Sequence, residues 1–124
     1  MGRPSYGNQT HFVKWDNKAA GGRWYECTIG PKMSDGRYLV EGHGGWDGHF
    51  YGSDLTPIGH TPSMGDEALA YWQSIPWYDY ANYNYAFRCC VEAKNSRTGK
   101  TWVRYDDGSK EWVPNDKVHK VSRL

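Results

Sequence analysis

The side chains that most readily carry chemistry are few in this chain of 124 residues, and their spacing argues against catalysis. Cys27, Cys89 and Cys90 form no C-x-x-C pair, and of His11, His43, His49, His60 and His119 only His43 and His49 approach a ligand spacing, as H-x₃-D-x-H with Asp47. That pattern is too sparse for a zinc centre, so neither a metal nor a cofactor is expected. The run Gly42-His43-Gly44-Gly45 has the composition of an oxyanion-hole loop, but no G-x-S-x-G turn accompanies it and a glycine-rich turn explains it fully. Gly99-Lys100-Thr101 lacks the upstream glycine of a phosphate loop and is a hairpin turn. No enzyme is expected.

What remains is aromatic. Seven Trp, 10 Tyr and 3 Phe make 16% of a chain that is only 38% hydrophobic. Rings that also carry a polar tip suit half-buried walls and binding surfaces better than a thick aliphatic core. The net charge of +1 lacks the bulk positive field of a dedicated duplex-DNA binder. Adjacent Cys89 and Cys90 with a lone Cys27 do not make the even framework of a secreted domain, which predicts a reducing, intracellular setting. No apolar run reaches the roughly 18 to 20 residues of a membrane span, and the opening MGRPSY has neither a signal core nor a myristoylation pattern.

Fifteen Gly and 6 Pro punctuate the chain too often for long helices. A repeat organises the stretches between them. HFVKW (11–15), RWYECTI (23–29), GRYLVEG (36–42) and GGWDGHFYGSDLTPI (44–58) are followed by ALAYW (68–72), YAFRCCVEA (85–93), GKTWVRY (99–105) and DGSKEWVPNDKV (107–118). Trp15 pairs with Trp72, Cys27 with Cys89, Gly36 with Gly99, Gly45 with Gly108 and Asp54 with Asp116, at offsets of 57 to 63 residues. Each copy has strand-length runs separated by turn residues, the grammar of an antiparallel meander that curls into a barrel. The expected architecture is all-β, two small strongly bent antiparallel barrels packed together, over 9–60 and 66–124. Units this small, near or below about 60 residues, are expected to depend on each other. The aromatic stretch at 72–87 is expected to pack between them.

The sequence of motifs strand-Trp, W-Y-x-C, Gly-x-Y-x-V and Y-D-x-G…E-W-V-P-x-D-x-V resembles the Tudor, Agenet and chromo-barrel group. YDDGSKEWVPNDKV at 105–118 is the most specific stretch, and 42–55 departs from it. The resemblance implies an aromatic cage at one barrel end that holds a methylated Lys or Arg by cation–π attraction. Carried over, it puts Trp15, Tyr25 and Trp46 at cage positions in the first copy, with Phe50 beside them and Gly42 where another ring often stands. In the second copy it puts Trp72, Phe87 and Tyr105 there, with Ser109 in place of a ring. Asp47 and Asp107 are the candidate anionic walls, and Trp24, Trp102 and Trp112 are expected in the core.

The resulting reading is a methyl-lysine or methyl-arginine reader of a histone tail or other protein, which a histone ligand would put in the nucleus. The first copy is the expected site. The alternatives are a carbohydrate-binding module, since Trp and Tyr faces also suit sugar rings, and a weak single-stranded nucleic-acid binder. For the latter, Lys110, Lys117, Lys120 and Arg123 of the last segment would meet phosphates, against the plainer reading of a solvated face.

Overall fold

The computed structural model describes residues 9–16, 22–42, 45–74 and 85–124. Ten strands join in a single antiparallel sheet: β1 (His11–Asp16), β2 (Arg23–Lys32), β3 (Arg37–Gly42), β4 (Asp47–Tyr51), β5 (Leu55–Pro57), β6 (Glu67–Ala70), β7 (Tyr85–Asn95), β8 (Lys100–Tyr105), β9 (Lys110–Pro114) and β10 (Val118–Lys120). Among the described residues only two single 3-10 turns, Gly52–Asp54 and Asn115–Lys117, interrupt the strands, and no helix is long and apolar enough to cross a membrane. Alternation decides which face each strand buries. In β8, Thr101, Val103 and Tyr105 point inward while Lys100 and Arg104 are exposed.

The two halves use the same pairing scheme. The first has the order β5-β1-β2-β3-β4 and the second β10-β6-β7-β8-β9. Cys27 lies between His11 and Gly42, and Cys89 lies between Ala68 and Tyr105. Each half has its own small apolar centre: Val13, Cys27, Val40 and Leu55 in one, and Ala68, Ala70, Cys89, Val91, Val103, Val113 and Val118 in the other. This is the all-β architecture of two tandem, strongly bent barrels expected from the sequence.

Backbone pairing joins the halves, and residues 85–87 of the aromatic stretch take part in it. Arg23, Trp24 and Tyr25 of β2 pair with Phe87, Ala86 and Tyr85 of β7. Trp24 and Ala86 stand at the same offset of 62 residues as Cys27 and Cys89, so the junction has local two-fold pseudosymmetry about the Trp24–Ala86 pair. On the edge of β2 that carries β3 further along, β7 occupies the first three positions; β2 does the same for β7 ahead of β8. Each half thereby covers strand edge that the other leaves open.

Around that junction Phe12, Trp24, Leu69, Tyr71 and Ala86 form a third buried cluster, lined by Ile58 and Val121. The buried Glu26 carboxylate accepts the Tyr71 hydroxyl across it. The last residues return to the first half, where Ser122 N–H donates to Thr56 Oγ1 at 2.7 Å and Leu124 N–H reaches the Gly52 and Leu55 carbonyls.

Of the 72–87 stretch, expected between the halves, 75–84 lie outside the described residues, and 85–87 open β7 at the junction with β2. The expectation of Trp102 and Trp112 in the core changes. Trp24 is fully buried, but between the halves; Trp112 is 41% exposed and packs on half-buried Trp102 across β8 and β9, on the outer face. The reason is parity: Trp102 alternates in step with Lys100 and Arg104, and Trp112 with Lys110.

Trp24→Ala is expected to lower stability by about 3 to 5 kcal/mol in urea unfolding, because it empties the junction. Cleavage near Gly65 is expected to leave fragments that, melted separately by circular dichroism, lose the cooperative transition of the whole chain.

His119 adds a pH dependence. Its Nδ1 accepts the Gly59 N–H at 3.0 Å and its ring packs on Phe12 and Tyr71, so burial, and then Lys117, push its pKa below 6.5. The native state therefore favours the neutral ring. Stability is full above the unfolded value of about 6.5 and falls as the pH drops below it, by at most about 1.4 kcal/mol per pH unit from this group. Burial lowers the pKa of His11 as well, with the same sign. His119→Asn is expected to reduce the slope of unfolding free energy between pH 7 and pH 5.

Candidate ligand-binding site

In the first half three rings meet at one end of the barrel. Trp15 sits where a register shift between Lys14 and Asp16 breaks the β1–β2 ladder, and it is 47% exposed. Its ring centroid is 4.5 Å from that of Trp46 and 5.4 Å from that of Phe50, tilted by 57° and 48°. Tilted rings of this kind form walls, not a stack. Beneath them Val13, Cys27, Val40 and Leu55 make the floor, with Tyr25, Trp46 and Phe50 packed against it.

Gly42 explains how Trp46 enters. A Cβ on Gly42 would fall 1.8 Å from Trp46 Cε2, so the indole lies directly over the glycine. Gly42 N–H also donates to the Trp46 carbonyl at 2.7 Å. The position that lacks a side chain is thus the seat of another residue's ring. In the second half the relation is reversed: Tyr105 stands where Gly42 does, and Ser109 where Trp46 does.

Trp72, Phe87 and Tyr105 also come together. The Trp72 and Tyr105 rings stand 6.2 and 6.3 Å from Phe87, both edge-to-face. This set is more closed, with Tyr105 buried and its hydroxyl donating to Glu111 Oε2 at 2.7 Å. Glu111 also accepts Gln73 N–H and Ser74 Oγ–H, which ties the segment after β6 over the rings. Tyr85 lies 5.4 Å from both Tyr25 and Phe87, so rings of both halves form one run across the junction, with Arg23 over Tyr85.

The two candidate anions differ in place. Asp47 is exposed on the outer face of β4, opposite Glu41. Both line a groove of about 290 Å³ with Gln9, Thr28, Gly42, Gly45 and Trp46, which leads to the edge of the Trp46 ring. Asp107 is at the β8–β9 turn, where its carboxylate accepts Ser109 N–H and Oγ–H. Those bonds hold its pKa below the usual carboxylate range. Gly108, at φ +91°, completes the turn in a conformation that L side chains rarely adopt.

Reading the sequence missed Glu111 and Tyr85. The signal for both was strand parity, since Glu111 shares the inward face with Val113, and Tyr85 lies two residues before Phe87.

Burial pushes the Cys27 and Cys89 thiols up to about 12, far from a reactive thiolate. Among the described residues no group of three His, Cys, Asp or Glu could hold a metal ion, and His43 lies outside them. Of the basic residues of the last segment, Lys117 lies over Tyr71, Lys120 pairs with Asp66, and Arg123 pairs with Glu67 and lies over Trp24, while Lys110 stands apart from them on the outer face of β9, 3.5 Å from Glu92.

Among solved structures, the crystal structure of Arabidopsis thaliana AGDP1 AGD34 superposes with a TM-score of 0.56, over 90% of this chain and 79% of that one, at 11% identity. The chain shares that fold. No protein-family model matches the chain, and no curated protein does. At such low identity the likeness is one of architecture, and the residue roles rest on the geometry above.

Gly42→Ala is expected to drive Trp46 from its seat. Near-ultraviolet circular dichroism should change while the far-ultraviolet spectrum is retained, with a stability loss of about 1 to 3 kcal/mol from the steric conflict.

Proposed function

We propose that the chain is a non-catalytic binding module that captures a methylated lysine or arginine side chain on a protein tail, a histone tail being the nuclear instance, with the site in the first half at Trp15, Trp46 and Phe50 and with Tyr25 behind them. The observation that carries this reading is Trp15. A large ring left 47% exposed beside two other aromatic walls is apolar surface kept open to solvent, and a methylammonium fits it: greasy enough to leave water, yet charged enough to gain about 0.5 to 2 kcal/mol from each ring. Asp47 and Glu41 beside the groove suit the flanking basic residues of such a tail. Trp72, Phe87, Tyr105 and Asp107 are then the counterpart set in a half whose ring cluster is closed by Glu111. The fold likeness to AGDP1 AGD34 agrees with a binding module of Tudor type.

Isothermal titration with lysine- and arginine-methylated peptides and their unmodified forms tests this reading. Trp15→Ala and Trp46→Ala are each expected to weaken binding of the methylated peptide at least about tenfold, and Trp15→Ala should leave the melting curve unchanged because the ring is half in solvent. Equal binding of methylated and unmodified peptides, or loss on Trp72→Ala with none on Trp15→Ala, would refute the assignment.

A further inference from the structure

The two halves differ in charge and ring content on the outer faces of their third and fourth strands. In the first, Leu39 lies opposite His49 and Glu41 opposite Asp47. The matching pairs in the second are Trp102 with Trp112 and Arg104 with Lys110, and Lys100 stands opposite Pro114 at the end of the same row. Positions that hold two acids in one half hold two cations in the other, beside two indoles. Like charges directly opposite each other repel. In the second half Glu92, the extra residue of the β7 bulge, eases this by reaching Arg104 Nε at 3.0 Å and Lys110 Nζ at 3.5 Å. Three cations still face one carboxylate, and Lys100 makes no ion pair among the described residues. The Trp102 and Trp112 rings touch at 5.3 Å between centroids, and Trp112 is 41% exposed.

We propose that the outer face of β8 and β9 binds single-stranded nucleic acid, with bases stacking on Trp112 and Trp102 and phosphates meeting Lys100, Arg104 and Lys110. The combination of groups selects this ligand. A neutral sugar chain would use the indoles but not the cations, and a purely acidic peptide the cations but not the indoles. A duplex keeps its base faces stacked inside. An unpaired strand offers flat rings and regularly spaced anions together. This surface is the outer wall of the second half, separate from the ring cluster of the first, so it stands or falls independently of methyl-lysine capture.

Fluorescence anisotropy of labelled twelve-nucleotide oligo-dT and oligo-U, titrated with the full chain at graded salt, tests the proposal. Binding at low salt is expected to weaken with a log–log slope of about −2, as for three phosphate contacts to a single strand, and to quench tryptophan emission. Trp112→Ala should cost about five- to a hundredfold in affinity. The triple variant Lys100→Gln, Arg104→Gln, Lys110→Gln should flatten the salt dependence. Both variants should keep the parent far-ultraviolet spectrum, and either alone carries the test if the other fails to fold. The proposal is overturned if the oligonucleotides do not bind at low salt, if binding ignores both variants, or if a duplex of the same length binds equally well. It is equally overturned if a soluble glucan oligosaccharide occupies the face instead. The same holds if sedimentation shows the face taken by the acidic Glu41–Asp47 surface of a second copy, with the variants dissociating that complex.

Discussion

The pairing of β2 with β7 is the constraint on which the rest depends. Three residue pairs about Trp24 and Ala86 merge two sheets, each too small to close its own edges, into one of ten strands. The pairing carries Trp24 into the space between the halves, where it is almost completely buried with Phe12 and Tyr71. It also sets Tyr25 against Tyr85, so the ring clusters of the two halves meet in one run. Stability and the arrangement of the candidate site thus share a cause, and a change at the junction is felt in both.

Within that frame the halves solve one packing problem twice. The space beside the third strand needs a ring, and the first half supplies it from Trp46 over Gly42, the second from Tyr105 beside Ser109. The ring brought in from outside the strand leaves its cluster open, with Trp15 half in solvent. The ring grown from the strand itself places a hydroxyl where Glu111 can bind it, and Glu111 ties down the segment after β6. A single exchange of positions thereby separates an open cluster from a closed one.

Much of the architecture was legible because turn residues and alternating burial are local signals. The strands in RWYECTI and YAFRCCVEA, and the alternation of Trp102 and Arg104 with Thr101, Val103 and Tyr105, follow from residue type and spacing alone, but which of those two sets faces inward does not. The junction was not legible, because it is made by backbone groups and unlike side chains, Trp24 against Ala86, which leave no matching pattern. Trp112 was misjudged because the size of the residue was weighed above its parity with Lys110. The role of Asp107 turned on a distance of two residues, since a carboxylate in D-D-G-S can cap its own turn as readily as it can face a ligand. That Trp15 and Trp46 are neighbours could be read from the motif, but that Gly42 is the seat of the indole required coordinates.

The return of residues 122–124 to the first half has a consequence for how the chain acquires its structure. Thr56, Leu55 and Gly52 receive backbone donors from Ser122 and Leu124, more than 60 positions later in the chain. The first half therefore completes its hydrogen bonding only when a segment made after the whole of the second half packs back on it. Contacts between residues this far apart in sequence carry a loop-closure cost, which slows folding. Until β7 is made, the margin of β2 that it covers is open to other strands, which exposes the growing chain to aggregation there.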